Sequence, residues 1–474
     1  MAFDKVVTGG TVVTPGGTLR ADIGISGGRI ETIGTNLVSQ ANGADEIDAS
    51  GCYIIPGVVD VHTHFGWSSE GAVSSDDFRT GTRAAARGGV TSVLDFAVPR
   101  AGETLTAAAD RRVHEAAAES LIDFAFHICI TDWEAQRDEI EELAKRGFTT
   151  FAEFLIDDGD ARRSDDRTLF ATLETMSRIG TMLLLHAESA SVLDELISRH
   201  HSPDQMARER ARLHARTRPN FIEAEAVQRA ILWSEITSGQ LYVMHMSTAE
   251  SSDLVKSAQL RGVPVVAETC PPYLVLDDSV YEEDEGHLFA SCPQIKTRTD
   301  SLRLWKGMRS GEVSVVSSDS RAFLREQKDA WEGDFTRIPM GLPGVETLLP
   351  VLYTHGVRFG RISLEELVRL LAANPAQIMG LYPRKGAIQV GADADLAIIH
   401  PTREMIVDPT LLETNADWSP YAGWSLAGFA RTTLSRGEII VEDYRVAGAS
   451  GRGRWMPRRR AGLFGRELAA HESP

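Results

Sequence analysis

The stretch VVDVHTHFGWSSEGAVSSDDFRTGTRAAARGGVTSVLDFAVP, residues 58–99, reads as a strand, a helix and a second strand. The runs Val58–Val61 and Thr91–Phe96 are largely apolar and rich in β-branched residues, as buried parallel strands require. Between them, Ser75 or Asp76 is expected to cap an amphipathic helix that ends before a glycine pair. A strand, a helix and a parallel strand form the repeating unit of α/β folds.

The same alternation continues through the middle of the chain. Six further apolar runs qualify as strands, and amphipathic stretches separate most of them: Phe124–Ile130, Thr149–Ile156, Thr181–Leu185, Leu241–Met244, Val263–Ala267 and Val313–Val316. Eight strand–helix units predict an α/β protein with a closed (β/α)8 TIM barrel, which places its chemistry at the carboxyl ends of the strands. We assign residues 57–384 to this barrel.

Short β-branched runs separated by glycine turns precede and follow the barrel. They include VVTGGTVV and ADIGISGG before it, and ADADLAIIHP and ARTTLSRGEIIV after it. We therefore expect residues 1–56 and 385–450 to form one small β-sandwich domain built from both chain ends. The locally basic segment 451–474 is expected to be a C-terminal tail or an oligomer arm.

The composition excludes several classes of protein. With 43% hydrophobic and 24% charged residues, the 474-residue chain has the make-up of a globular protein. A net charge of −18 argues against nucleic acid as a partner, since phosphate binding needs a basic surface. The four cysteines form no CxxC pair, and no run of about 18 apolar residues occurs. We expect a cytoplasmic protein without a membrane partner.

The candidate metal ligands follow strands of the predicted barrel. His62 and His64 end the first strand, and residues two apart on a strand point the same way. Alone, such a pair also fits two exposed loop histidines. Metal-competent side chains close three later strands, however, at His186, His245 and Asp319. Together the five predict a site for a divalent ion, zinc first and Mn²⁺ or Co²⁺ as alternatives.

These ligands indicate hydrolysis. A divalent ion lowers the pKa of a bound water to about 7 and so provides hydroxide at neutral pH. Asp319 is expected both to hold the metal and to carry the proton from that water to a leaving nitrogen. Asp60 is expected to support the ligand histidines, and His127, in the middle of a strand, to be structural.

Nearly the whole chain also resembles the dihydropyrimidinases and hydantoinases of the amidohydrolase superfamily. The blocks that carry the resemblance are HTHFGWSSEGAVSSDDF, FHICITDW, LLHAES, ETCPPYL, MGLPGVETLLPVLY, NPAQIMGLYPRKGAIQVGADADLAI and SPYAGW. The resemblance implies hydrolysis of a C–N bond in a cyclic amide, imide or ureide, a dinuclear metal centre and a homotetramer or dimer. It also places His62, His64, His186, His245 and Asp319 on the metal-ligand positions of the family.

Four positions depart from the family pattern. Ala152 stands where the family has a carboxylated lysine that bridges two metals, and Glu153 follows it. We expect Glu153 to supply the bridge through a β-bulge, because neighbouring strand residues otherwise face opposite sides. A single-metal site is the alternative. Asp157, Cys292 and Met340 replace a tyrosine, a serine and an asparagine, so they are expected to bind a different cyclic substrate.

Two other functions compete with cyclic amide hydrolysis. One is a non-catalytic assembly protein related to the dihydropyrimidinases, which the missing lysine and tyrosine would suit. The other is hydrolysis of an exocyclic amide. The survival of four histidines and an aspartate at strand ends favours an enzyme, since a scaffold has no need of them.

Overall fold

The computed structural model describes residues 3–40, 43–158 and 163–460. Its centre is a sheet of eight parallel strands: Val58–Thr63, Val90–Ala97, Asp123–Cys129, Thr150–Phe154, Met182–His186, Gln240–Val243, Val265–Thr269 and Val313–Val316. Each strand pairs with the next one along the chain. A parallel bridge between Thr63 and Ser320 brings the first and last strands together, so the sheet is a nearly closed barrel. The predicted (β/α)8 fold is confirmed.

Helices connect the barrel strands and extend beyond the last of them. The α-helices are Phe78–Arg87, Leu105–Glu119, Trp133–Gln136, Ile140–Arg146, Asp166–Ile179, Ala190–His200, Pro203–Glu209, Arg212–Arg216, Asn220–Thr237, Ala249–Leu260, Pro271–Val275, Arg298–Ser310, Arg325–Asp329, Leu348–Val351, Leu364–Val368 and Asn374–Ile378. The 3₁₀ helices are Leu37–Gln40, Arg137–Glu139, Asp278–Glu282, Gly286–Phe289, Phe335–Arg337 and Pro409–Leu411, and the π-helical segments are Leu352–Arg358 and Arg369–Ala373. None of the described helices is long and apolar enough to cross a membrane.

The first barrel helix begins one residue later than predicted. Its N-cap is Asp77, whose carboxylate accepts hydrogen bonds from the backbone N–H groups of the first turn. Asp76 is not the cap, because its carboxylate accepts a hydrogen bond from the backbone N–H of Asn415 at 2.8 Å. The Ser75 hydroxyl likewise donates elsewhere, to the carbonyl oxygen of Ala322. Gly88 ends the helix, as the sequence predicts.

The barrel core has an inner and an outer layer, because successive strand residues face opposite sides. On the fifth strand, Leu184 belongs to the cluster inside the barrel. Leu183 and Leu185 belong to the cluster between strands and helices. This alternation decides which side chains of a barrel strand can reach a site at its centre.

Strands from both ends of the chain meet in one sheet. In spatial order this seven-stranded sheet is Arg445–Val446, Glu438–Glu442, Ala430–Ser435, Leu396–Ile399, Tyr53–Pro56, Thr11–Thr14 and Gly17–Arg20. A four-stranded sheet, Arg29–Gly34, Asp22–Ser26, Lys5–Thr8 and Asp45–Asp48, shares an apolar cluster with it. Two short hairpins, Ser68–Ser69 with Ala72–Val73 and Glu404–Ile406 with Ser425–Ala427, complete the strands. The exact domain bounds stay a prediction.

The described part of the C-terminal segment packs against the barrel of its own chain. Trp455 forms a parallel bridge with Phe124, and the buried Arg458 donates to Oγ1 of Thr150 at 2.7 Å. Residues up to 460 are therefore part of the fold. The rest of the predicted tail or oligomer arm, residues 461–474, lies outside the described residues.

Candidate metal centre

Three predicted ligand atoms converge at the carboxyl end of the barrel. Nε2 of His62 and Nε2 of His64 lie 3.1 Å apart. Oδ1 of Asp319 is 3.3 Å from the first of these nitrogens and 3.2 Å from the second. A tetrahedral zinc ion at about 2.0–2.1 Å from its ligands would separate them by about 3.3 Å. The three atoms therefore have the spacing of one face of a zinc tetrahedron.

The ligand atoms of His62, His64 and Asp319 form a triangle, and the other two predicted ligands form a pair beside it. Nδ1 of His186 lies 3.0 Å from Nε2 of His245. The ring centroids of His62 and His245 are 5.4 Å apart, so the pair and the triangle are neighbours. All four histidines are buried. The structure thus brings together the five residues that the sequence singled out at strand ends.

The backbone is strained at two of these positions. His245 and Asp319 have φ angles of 33° and 48°, in the left-handed region that residues with a side chain seldom adopt. Both lie just beyond barrel strands, in the segments that follow Val243 and Val316. Such conformations cost about 1–3 kcal/mol each and concentrate at functional sites. Here they turn both side chains towards the shared centre.

Glu268 holds the first histidine in place. Its Oε1 lies 2.8 Å from Nδ1 of His62 and also accepts the backbone N–H of His245 at 3.1 Å. The hydroxyl of Tyr242 donates to its other oxygen at 2.6 Å. A neutral His62 ring that donates from Nδ1 keeps Nε2 free for a metal. Glu268 was not predicted from the sequence, although its place near the end of the strand Val265–Thr269 is the signal that marked the ligands.

Asp60 supports the site through the backbone rather than through a histidine ring. Its Oδ1 accepts the N–H groups of His62 at 3.4 Å and Ser318 at 3.0 Å. Since Ser318 immediately precedes Asp319, this carboxylate ties the first strand to the turn after the last one. The support predicted for the ligand histidines is present, but it acts on their main chain.

Glu188 and Arg218 orient the second pair. Oε2 of Glu188 lies 2.9 Å from Nε2 of His186, which leaves Nδ1 of that ring towards His245. Nη1 of Arg218 donates to the same carboxylate oxygen at 2.8 Å. Neither residue was predicted from the sequence. Glu188 follows His186 by two positions, the same spacing that brought His62 and His64 to attention.

Glu153 does not face the candidate metal centre, which argues against the bridging role expected of it. Glu153 is fully buried, and its Oε1 accepts a hydrogen bond from the hydroxyl of Thr172 on the outer helix Asp166–Ile179. The register with the next strand is unbroken from Thr150 to Phe154, so no bulge turns Glu153 inward. Ala152 occupies the inward position, within the apolar cluster of the barrel interior.

A second group of possible ligands is less suited to a metal. Within the described ranges, only two groups place three ligand atoms within 4.8 Å of one another: the triangle, and His186, Glu188 and Cys292. The guanidinium of Arg218 already contacts the second group, 2.8 Å from Glu188 and 3.2 Å from Sγ of Cys292. Arg218 therefore already uses the carboxylate oxygen that a metal ion would need in this group. The triangle is therefore the better metal site.

The electrostatics of the triangle favour a cation. Burial opposes a charge on His62, but the carboxylates of Glu268 and Asp319 outweigh it and raise the pKa of His62 to about 9. Burial raises the pKa of Asp319 to about 6. Burial, followed by the charge of Arg321, holds the pKa of His64 well below its ordinary value. The carboxylates that stabilise a proton on His62 would equally stabilise a metal ion there.

The three residues predicted to bind substrate line one cavity of about 150 Å³. Sγ of Cys292 lies 3.2 Å from Nη1 of Arg218, and Sδ of Met340 lies 3.8 Å from Nη2 of the same guanidinium. Asp157 is exposed and accepts the backbone N–H of Arg163 at 3.2 Å. The lining therefore combines two sulfur atoms with charged groups, among them the buried Asp158 and Arg218.

His127 is structural, as predicted. Its Nδ1 lies 2.7 Å from Oγ1 of Thr150, and its Nε2 lies 2.9 Å from the carbonyl oxygen of Val61. Both ring nitrogens are therefore used within the barrel wall, and neither is available to a metal.

Comparison with known proteins gives consistent similarities. The amidohydrolase family profile matches residues 53–425. The chain is 37% identical to a D-hydantoinase of Geobacillus stearothermophilus, over 97% of this chain and 98% of that one. It is 37% identical to a D-hydantoinase of Rhizobium radiobacter, over 97% and 99% of the two chains. The crystal structure of a dihydropyrimidinase from Brevibacillus agri superimposes with a TM-score of 0.92 at 35% identity, over 96% and 99% of the chains.

Proposed function

The chain belongs to the amidohydrolase family and is a cyclic amide hydrolase, and we propose that it opens a C–N bond of a cyclic amide, imide or ureide at the His62, His64 and Asp319 triangle. The spacing of those three ligand atoms, 3.1–3.3 Å, is the observation that carries the proposal. A non-catalytic assembly protein is not favoured, because a scaffold has no use for a buried, supported ligand set.

The residues present fit a divalent metal. Two imidazole nitrogens and one carboxylate oxygen make a three-ligand set that leaves a position open, as in catalytic zinc sites. We propose zinc as the ion, with Mn²⁺ or Co²⁺ as the alternatives that the same donors accept. When bound, the ion would supply a hydroxide at neutral pH beside the carbonyl of the substrate.

Asp319 is suited to move the proton. Its Oδ1 faces both ligand histidines, which places the carboxylate beside the water that a bound metal would hold. The oxygen of the water forms a bond to the carbonyl carbon, and the C–N bond then breaks. Asp319 would take the proton of the water and give it to the leaving nitrogen. The product has a free carboxylate at one end of the opened ring.

The cavity limits the substrate to a small molecule. Its volume is about 150 Å³, and it shares Cys292 and Met340 with the small cavity that Asp319 lines, so it suits one ring next to the site. Arg218, fixed by Glu188, offers N–H donors to an acceptor on that ring. Pockets of this kind fix a ligand with a few placed polar groups among apolar ones.

The experiment is a substrate panel with and without metal. Protein stripped by a chelator is assayed on five- and six-membered cyclic amides, imides and ureides, and on open-chain amides, before and after Zn²⁺, Mn²⁺ or Co²⁺ is returned. We expect hydrolysis of at least one cyclic compound that metal restores. Cleavage of open-chain amides alone, or metal loading without any turnover, would contradict the proposal.

The assembly and the location remain proposals that the panel does not test. The resemblance to the hydantoinases supports a homo-oligomer, either a tetramer or a dimer, which sedimentation velocity would establish. A cytoplasmic location stays a prediction from the sequence.

A further inference from the structure

The turn after the last barrel strand brings a cation to the metal ligands. Arg321 lies two residues beyond Asp319 and is 5% exposed. Its Nη2 is 3.5 Å from Nε2 of His64, the atom that also faces Asp319. Arg321 and Asp319 line the same cavity of about 20 Å³. A space of that size holds about one water molecule, so the guanidinium borders the place where a small reacting group would lie.

The guanidinium is fixed on several sides. Nη1 and Nη2 each lie 2.8 Å from one oxygen of Asp158, a bidentate ion pair in the interior. Nη1 also donates to the carbonyl oxygen of Met340 at 3.1 Å, and the group lies 5.1 Å from the ring centroid of Trp67. Bidentate pairs set both distance and orientation. The cation is therefore oriented before any substrate arrives.

In the part of the chain that the structure describes, the carboxylates that could join two metal ions are engaged elsewhere, and Oε2 of Glu188, beside His186, accepts from the guanidinium of Arg218. Both oxygens of Asp158 are taken by Arg321, Glu153 faces the outer helices, and Ala152 has no ligand atom. Two divalent ions about 3.5–4 Å apart repel strongly without an anion between them. His186 and His245 offer two ligand atoms, and the further candidates beside them, Glu188 and Cys292, are contacted by Arg218.

We propose that Arg321 does the work of a second metal ion. The centre holds one ion, on His62, His64 and Asp319, and the Arg321 guanidinium binds the carbonyl oxygen of the substrate. This rests on the proposed function. When the water oxygen adds to the carbonyl carbon, the C=O electron pair moves onto that oxygen, and Arg321 stabilises the negative charge. The pair returns as the C–N bond breaks and the nitrogen receives the proton through Asp319.

The guanidinium suits this role because it stays charged at every working pH and donates from a planar fork. A donor that is already oriented towards the developing charge needs no rearrangement during the reaction. Asp158 is then a positioning residue, which acts through Arg321 and does not touch the substrate.

The first measurement is the metal content of the parent protein. Stripped protein is loaded with excess Zn²⁺, desalted and analysed by mass spectrometry of the metal, and the loading is repeated by calorimetric titration. We expect one equivalent per chain and a single class of site. Two equivalents, or two classes of tight site, would overturn the proposal without any reference to activity.

The second measurement uses Arg321 variants on a substrate found in the panel. Loss of one such donor typically lowers kcat by about 10²–10³-fold, and we expect this of Arg321→Met with its metal equivalent retained. Arg321→Lys, which keeps the charge but not the fork, should recover part of the loss. The control is Arg79→Met, which removes an exposed arginine paired with Glu119 and should leave kcat unchanged. A kcat for Arg321→Met within about three-fold of the parent would overturn the proposal.

Asp158→Asn keeps the guanidinium but breaks the ion pair that orients it. We expect kcat to fall while the metal equivalent stays bound, and a purely structural Asp158 would leave kcat unchanged in the folded variant. If Arg321→Met does not fold, the kcat of Asp158→Asn and the metal content of the parent still test the proposal. An active parent with two ions refutes this inference alone, whereas a metal-loaded parent without cyclic amide turnover refutes the proposed function as well.

Discussion

Oε1 of Glu268 lies 2.8 Å from Nδ1 of His62, and both side chains are buried. The bond crosses the barrel from the seventh strand to the first, so it joins residues 206 positions apart. It fixes the imidazole with Nε2 directed at Asp319 and His64. The strength of metal binding should therefore depend on a residue that does not itself contact the metal.

Glu268→Gln should weaken metal binding. The amide keeps the size of the side chain but removes the charge that holds the His62 ring, and loss of such a partner typically costs about 10–100-fold in affinity. Competition with a chromophoric chelator measures the change. Glu235→Gln, at an exposed carboxylate paired with Arg261, is the control and should bind as the parent does. Equal affinity in the parent and Glu268→Gln would refute the supporting role.

Asp319→Asn should reduce turnover by about two orders of magnitude or more, because the amide cannot accept the proton of the attacking water. Steady-state kinetics on the preferred cyclic amide, with metal content measured on the same sample, separates lost catalysis from lost metal. A variant that retains its metal and remains within a few-fold of the parent would remove Asp319 from the proton transfer.

Glu153→Gln should leave metal content unchanged and alter the pH dependence of stability. Burial raises the pKa of Glu153 from its ordinary value of 4.5 to about 7, despite the hydrogen bond from Thr172. The folded protein then binds more protons than the unfolded chain between these values, so this group lowers the free energy of unfolding as pH rises from 4.5 to 7. At pH 8 the parent should therefore have lost roughly 1–3 kcal/mol of its free energy of unfolding through this group. The glutamine variant does not titrate and should not show this loss.

Urea unfolding of the parent and Glu153→Gln at pH 5 and pH 8 measures this difference. The gap between the two free energies of unfolding should shift in favour of the variant at the higher pH. Parallel pH profiles would contradict the burial argument. Loss of a metal equivalent in the variant would instead restore Glu153 to the metal centre.

The cavity should discriminate against the usual ring substrates of dihydropyrimidinases and hydantoinases. Cys292 and Met340 present sulfur where hydrogen-bonding groups are expected, and unpaired polar groups on a buried substrate are costly. We expect weak turnover of dihydrouracil and plain hydantoin. The double variant Cys292→Ser with Met340→Asn should raise it by about ten-fold or more without improving turnover of the preferred substrate. A parent kcat/KM of about 10⁵ M⁻¹s⁻¹ on dihydrouracil would contradict this view.

The barrel and its five candidate ligands could be read from the sequence because both depend on local patterns. Buried parallel strands appear as continuous apolar runs, and a metal-competent residue at the end of such a run lies at the mouth of the barrel. His186, His245 and Asp319 carry this signal as clearly as His62 and His64.

The residues that were missed depend on contacts between distant segments. Glu268 reaches His62 across the barrel, and Arg321 is defined by its ion pair with Asp158 from another strand end. The facing of Glu153 depended on whether the fourth strand contains a bulge. Strand register is a property of the whole sheet, and here it is unbroken.

The central claim is that a metal held at the barrel mouth activates the water that opens the ring. The most direct test measures bound metal and cyclic amide turnover on the same preparations of the parent, His64→Ala and His114→Ala. The His114→Ala variant is the control, because it removes an exposed histidine. The account predicts that His64→Ala, with an unchanged circular dichroism spectrum, loses metal and turnover together, and that His114→Ala keeps both. A folded His64→Ala protein with full metal content and full turnover would contradict it.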